Sequence, residues 1–246
     1  MTNFNQEVFK FKKQKTMYYG VIALVLLQFY SIISTGGIKT KDAVNLFGAG
    51  QWIGLILIII GTNIFASEFK NRTIIQLFYK NSKKSNIYLS KLFVIISYTI
   101  ILLITSVLFS FMVSIGQINW FGIYSGNKRF IEQFGLNLSG AFLFALFLIS
   151  IIFLFASLFS NSAIAVGGDL AVTFFGANFS FALTTSAFGN ILKWNPFNML
   201  NVMGQLGNNS LSSITKLNTG ILIVTTLVYT LIFLYLGYFY FKNRRI

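Results

Sequence analysis

Six stretches of this chain are apolar almost without interruption: residues 17–33, 46–66, 89–115, 136–159, 163–188 and 219–241. Each approaches or exceeds the roughly 18–20 residues that an α-helix needs to cross a bilayer. Strands of a membrane barrel would alternate apolar and polar positions over about ten residues, and these runs do not. The pattern predicts an all-α integral membrane protein, a single transmembrane domain over residues 1–246 with six spans. The first span is too long for a signal-peptide core and no A-x-A site follows it, so it is expected to remain as a helix.

The polar interruptions are as informative as the spans. In residues 1–16, Phe4, Val8 and Phe11 recur at i, i+4 and i+7 with lysines mostly elsewhere, which predicts an amphipathic helix at the membrane surface. Between the second and third spans, Glu68, Lys70, Arg72, Lys80, Lys83, Lys84 and Lys91 crowd into one short insert. At about 2.5–3.5 kcal/mol for each charge placed in hydrocarbon, seven would cost roughly 20 kcal/mol, so the insert lies outside the bilayer. Ser67 is a candidate helix cap, with Glu68 in the first turn facing the positive end of the dipole. Ile74, Leu77 and Phe78 then form a one-sided apolar face. Asn81 and Ser82 break the pattern, and a new helix is expected from about Ser85. Such a helix either rests on lipid or offers a docking surface to a cytoplasmic protein. The stretch 189–218, with Pro196, Met199, Met203 and Leu206 among several asparagines, predicts one or two short helices in or re-entering the opposite leaflet, as a lid or a plain connection.

Charge sets the orientation. The net +14 is not spread as a nucleic-acid surface would be, and no nucleic-acid partner is expected. Thirteen of the 19 basic residues fall in three clusters: Lys10 to Lys15, the insert, and Lys242 to Arg245. Six spans place all three on one side, whereas Lys39, Lys41, Lys128, Arg129, Lys193 and Lys216 fall opposite. The positive-inside rule then makes both termini and the insert cytoplasmic. Trp52, Trp120 and Trp194 all fall on the outer side, where an aromatic belt is expected. Cysteine and histidine are absent, and only five carboxylates occur. Thiol chemistry, the commonest metal ligand and the commonest general base are therefore missing. With no G-x-x-x-x-G-K-[ST] loop either, the chain is expected to be non-catalytic, without a metal or cofactor of its own.

Within the spans, Asp169 stands behind Gly167 and Gly168 in the fifth, where a carboxylate normally faces a partner or a water-filled cavity. Asn63, near the cytoplasmic end of the second span, is placed to hydrogen-bond it. Ala163, Gly167 and Ala171 follow a small-xxx-small spacing that permits close helix approach, within the chain or between copies. Leu148 is expected on a lipid-facing side.

The insert SEFKNRTIIQLFYKNSKKSNIYLSKLF resembles the segment between the second and third spans of ABC-2 type transporter permeases. Glu68, Thr73, Ile74, Ile75, Leu77, Lys84, Ser90 and Lys91 match, while Arg72 stands where the family has glycine and the turn lacks its proline. The topology is similar throughout, and KWNPFNML (193–200) resembles the family's outer segment. The resemblance implies that residues 67–86 contain a coupling helix. Glu68, Arg72, Thr73, Ile74, Leu77 and Phe78 would dock on a separate ATP-binding subunit, present in two copies and holding the ATP and magnesium. It also implies a second permease, identical or homologous, met by spans one, two and five. Gln28, Asn63, Gly167, Asp169 and Ala171 are then candidates for that interface or the exit path. Relatives that give immunity to lantibiotics or bacitracin, or that export peptides, make an amphipathic, membrane-active peptide the expected cargo. The Lys-, Asn-, Ile- and Phe-rich composition points to a bacterial plasma membrane. The alternative is a membrane protein that works without an ATPase, as a secondary carrier or a peptide-sequestering immunity protein; the sequence shows no internal repeat of the kind carriers use.

Overall fold

The structure is a computed structural model that describes residues 3–125, apart from 71–83, together with 128–159 and 161–243. Helix α1 (Asn3–Lys13) is followed by the first span, α2 (Lys15–Ser34). A short helix, α3 (Thr40–Val44), leads into the second span, α4 (Ala49–Lys70). The third span, α5 (Lys84–Ser114), ends in a small antiparallel hairpin of β1 (Ile123–Ser125) and β2 (Lys128–Arg129). The fourth and fifth spans are α6 (Phe130–Leu158) and α7 (Ser162–Thr185). Next come short helical turns, among them α8 (Gly189–Leu192), α9 (Val202–Gly207) and α10 (Ser212–Thr215). The sixth span, α11 (Thr219–Asn243), closes the fold. Among the described residues six helices are long and apolar enough to cross a membrane, as the hydropathy pattern predicted.

Spans 2 and 4 form the inner pair, each 67% buried over its most apolar stretch, against 17–22% for spans 1, 5 and 6. Glycine sets their spacing. A Cβ at Gly54 would stand 3.2 Å from Leu148 and Phe144, and one at Gly61 would stand 2.9 Å from Ile152. Leu148 is thus fully buried against span 2 rather than facing lipid. Along span 5, Ala163, Gly167 and Ala171 are exposed, and a Cβ at Gly167 would meet nothing within 4 Å. Span 5 turns other small residues inward, since a Cβ at Gly168 would stand 2.9 Å from Phe155 of span 4.

On the face opposite the termini, the turns between spans 5 and 6 form a cap seated across spans 4, 5 and 6. Asn195 caps the 3-10 turn Pro196–Asn201, accepting from the Asn198 amide at 3.0 Å. Buried side-chain amides hold the rest. Asn198 donates to the Lys193 and Thr215 carbonyls, Gln205 to the Leu217 carbonyl, and Gln133 of span 4 to the Gly207 carbonyl. Because buried polar backbone left unpaired is costly, these bonds make the cap a fixed layer of the fold rather than a trailing loop. The start of span 2 is bound likewise. Leu46, Phe47 and Gly48 all take positive φ, which only glycine adopts without strain. Gln28 donates to the Leu46 carbonyl at 3.0 Å, and Asn137 to the Val44 carbonyl at 2.8 Å, holding this turn in place.

Candidate functional site

The insert leaves span 2 and returns as span 3 on the face that carries both termini, so its two roots define the site. Span 2 stays helical through Ser67 and Glu68 to Lys70, which makes Ser67 part of a continuing helix rather than a cap. The returning helix begins at Lys84. Of the expected docking residues, Glu68 lies in the last turns of α4, though its side chain lies outside the described residues. Arg72, Thr73, Ile74, Leu77 and Phe78 also lie outside them.

What the described residues show is a tightly tied base. Phe65 of span 2, Tyr88 of span 3, Phe153 of span 4 and Phe241 of span 6 form one aromatic cluster, in which Phe153 meets Phe65 and Tyr88 edge to face. Their ring centroids are 4.8 Å apart for Phe65–Phe153 and 5.3 Å for Tyr88–Phe153. Such geometry contributes about 0.5–1.5 kcal/mol per pair beyond burial. The Tyr88 hydroxyl donates to the Leu234 carbonyl at 3.0 Å, and the Lys84 ammonium to the Lys242 carbonyl at 2.9 Å. The foot of span 3 is therefore fastened to the end of span 6.

Helix α1 is fastened to the same foot. Phe11 is buried edge to face against Tyr98, and Val8 is half-buried, as the apolar stripe required, while Phe4 stays exposed. Glu7 falls on the same face. It accepts from the Lys91 ammonium at 3.1 Å and from Lys10 at 3.0 Å. Lys91 is 1% exposed and also lies 5.8 Å from the centre of the Phe65 ring. Burial pushes the Glu7 carboxyl up, but the charges and hydrogen bonds of Lys91 and Lys10 outweigh it and hold its pKa below the usual 4.5. An acid on the surface helix, a cation one turn or two into span 3, and an aromatic ring at the end of span 2 thus converge where the insert is rooted.

The sequence model of the ABC-2 family transporter proteins matches residues 4–180, from the surface helix through most of the fifth span. The chain belongs to that family. No curated protein matches it. As an ABC-2 family transporter protein it is the membrane subunit of a transporter that works with an ATP-binding partner. Membrane subunits of the family are generally non-catalytic.

Within this ABC-2 subunit, the polar residues of the spans divide differently from expectation. Asp169 is fully buried between spans 5 and 2, and it is Thr62, not Asn63, that donates to it, at 3.3 Å. Asn63 is exposed on the outside of the single chain, as are Gly167 and Ala171. Gln28 is fully buried and spent on the strained turn before span 2, so it lines no surface of the chain. The family match ends before the cap and the sixth span, which makes that cap the part of this permease least described by its family.

Proposed function

We propose that this chain is the membrane-spanning half of an ATP-driven exporter in a bacterial plasma membrane, with both termini cytoplasmic. It would expel an amphipathic, membrane-active peptide from the cell or the bilayer. Two copies of a separate ATP-binding subunit, carrying the ATP and magnesium, engage residues 67–86 through Glu68, Arg72, Thr73, Ile74, Leu77 and Phe78. A second copy of the permease packs against the exposed small-residue face of span 5 at Gly167 and Ala171, with Asn63 and buried Asp169 close to that face.

The single observation that supports coupling is the Glu7–Lys91–Phe65 convergence. It joins the surface helix, the span before the insert and the span after it, so a push delivered to the insert moves three elements together. Burying Leu77 and Phe78 in a groove of the ATPase would contribute roughly 1.5–3 kcal/mol each. The test is a pull-down of the ATP-binding subunit with Leu77→Ala/Phe78→Ala, with membrane insertion checked in parallel. Loss of the ATPase, or ATP turnover no longer tied to peptide efflux, is expected. Parental binding and efflux by the double variant would remove the docking role.

A further inference from the structure

On the face opposite the termini, a cavity of about 760 Å³ lies between the turn before span 2, the β-hairpin and the cap. That volume is in the range of small-molecule sites, roughly 300–1,000 Å³. Lys41 of α3 and Lys128 of β2, from loops far apart in sequence, both line it and are exposed. Neither forms an ion pair among the described residues, and no described carboxylate lines the cavity with them. Gln51, in the first turn of span 2, also lines it with its side-chain amide unpaired among the described residues. Farther in, Ala141 and Met203 supply an apolar floor.

The wall is rigid. It is built from the positive-φ turn at Leu46–Gly48 and from Asn137 and Gln133, whose amides are already spent on backbone carbonyls. Lys41 and Lys128 give this concave surface a positive charge that no described carboxylate offsets, and a cleft lined by one sign of charge attracts the opposite one. The depth narrows the chemistry. Gln51 stands one turn into a span, hence at the level of the lipid headgroups, where the anions are phosphates.

We propose that this cavity binds an anionic phosphate-bearing group, with Lys41 and Lys128 as its charge partners, Gln51 as a hydrogen-bond donor and the Ala141–Met203 floor accepting an adjoining apolar portion. The group is either the headgroup of an amphiphile in the leaflet opposite the termini or a free phosphate. The site is distinct from the ATPase-facing base and needs no ATPase to be measured, so its failure would leave the exporter reading untouched.

The full-length permease is titrated with phosphatidylglycerol, with phosphatidylcholine as a zwitterionic control and inorganic phosphate as a tail-free probe. Bound molecules are counted by native mass spectrometry. Phosphatidylglycerol should be retained in preference to phosphatidylcholine. Lys41→Gln/Lys128→Gln should weaken that retention by roughly ten- to thirtyfold, at about 1 kcal/mol per lysine. Lys39→Gln/Lys193→Gln removes the same charge from the same face outside the cavity and should leave it unchanged. Helix content by circular dichroism confirms that both variants fold. Binding of inorganic phosphate alone would identify a soluble anion, and binding of the lipid alone an amphiphile. Equal loss in both double variants, or no preference for the anionic lipid, would overturn the proposal.

Discussion

Glu7 and Lys91 illustrate what one buried ion pair contributes in a membrane protein. Taking the carboxylate from a lysine that is 1% exposed is expensive, whereas removing both charges together is far less so. We therefore expect Glu7→Gln to destabilise the docking of α1 by about 3 kcal/mol, and the double variant Glu7→Gln/Lys91→Met to recover much of that loss. Amide hydrogen exchange along α1 reads both. Because the folded carboxyl titrates below its usual 4.5, the pair's contribution is complete above that pH and fades as the pH falls through the lowered value. Exchange protection of α1 should drop on acidification in the parent and stay level in Glu7→Gln. The signal for Glu7 was present in the sequence. Phe4, Glu7, Val8 and Phe11 share one helical face, so a carboxylate on that stripe had to meet a partner. Lys10, one turn along the helix, was a legible partner, whereas Lys91, 84 residues away, is brought to it by packing and leaves no local trace. Asp169 follows the same logic, since the periodicity of span 2 places Thr62 and Asn63 about 100° apart, and it is Thr62 that faces Asp169.

At the scale of elements, hydropathy revealed the six long apolar helices because crossing a bilayer imposes a length and a composition. It said less about which faces meet. Small residues occur in spans 2 and 5 alike, and only the fold shows that Gly54 and Gly61 face span 4 while Gly167 faces outward. The cap was legible as short helices through Pro196 and its asparagines, but not as a fixed layer. That property comes from amides contributed by span 4 and from glycines that allow backbone contact. A Cβ at Gly140 would stand 3.1 Å from the backbone of Met203, whereas one at Gly135 on the same helix would meet nothing within 4 Å. Gly140→Leu should therefore lift the cap, costing about 1–3 kcal/mol and opening residues 189–218 to protease added on the cap's side of sealed vesicles. Gly135→Leu should leave cleavage at the parental level. Equal cleavage in the two variants would show that the cap does not depend on this contact.

For the whole molecule, the exposed faces suggest how copies assemble. In the dimer proposed above, Gly167→Leu should weaken association roughly tenfold, about 1.4 kcal/mol, because small residues are what let helix backbones approach closely in membranes. Gly220→Leu is the control, because Gly220 likewise has open space around it within the chain. Crosslinking in membranes that finds the two variants alike would take span 5 out of the interface. The chain's single proline, Pro196, lies in the cap, which leaves every span without the residue that most sharply bends helices. Proline kinks are therefore absent from the spans, which favours a stroke in which whole helices rock about their ends. At 1.5 Å per residue, the 31-residue third span is about 46 Å long. A tilt of about 5° at its tethered foot would carry its far end sideways by about 4 Å. A rod of that length is a gearbox with one part: small angles at one face of the membrane become atom-sized displacements at the other.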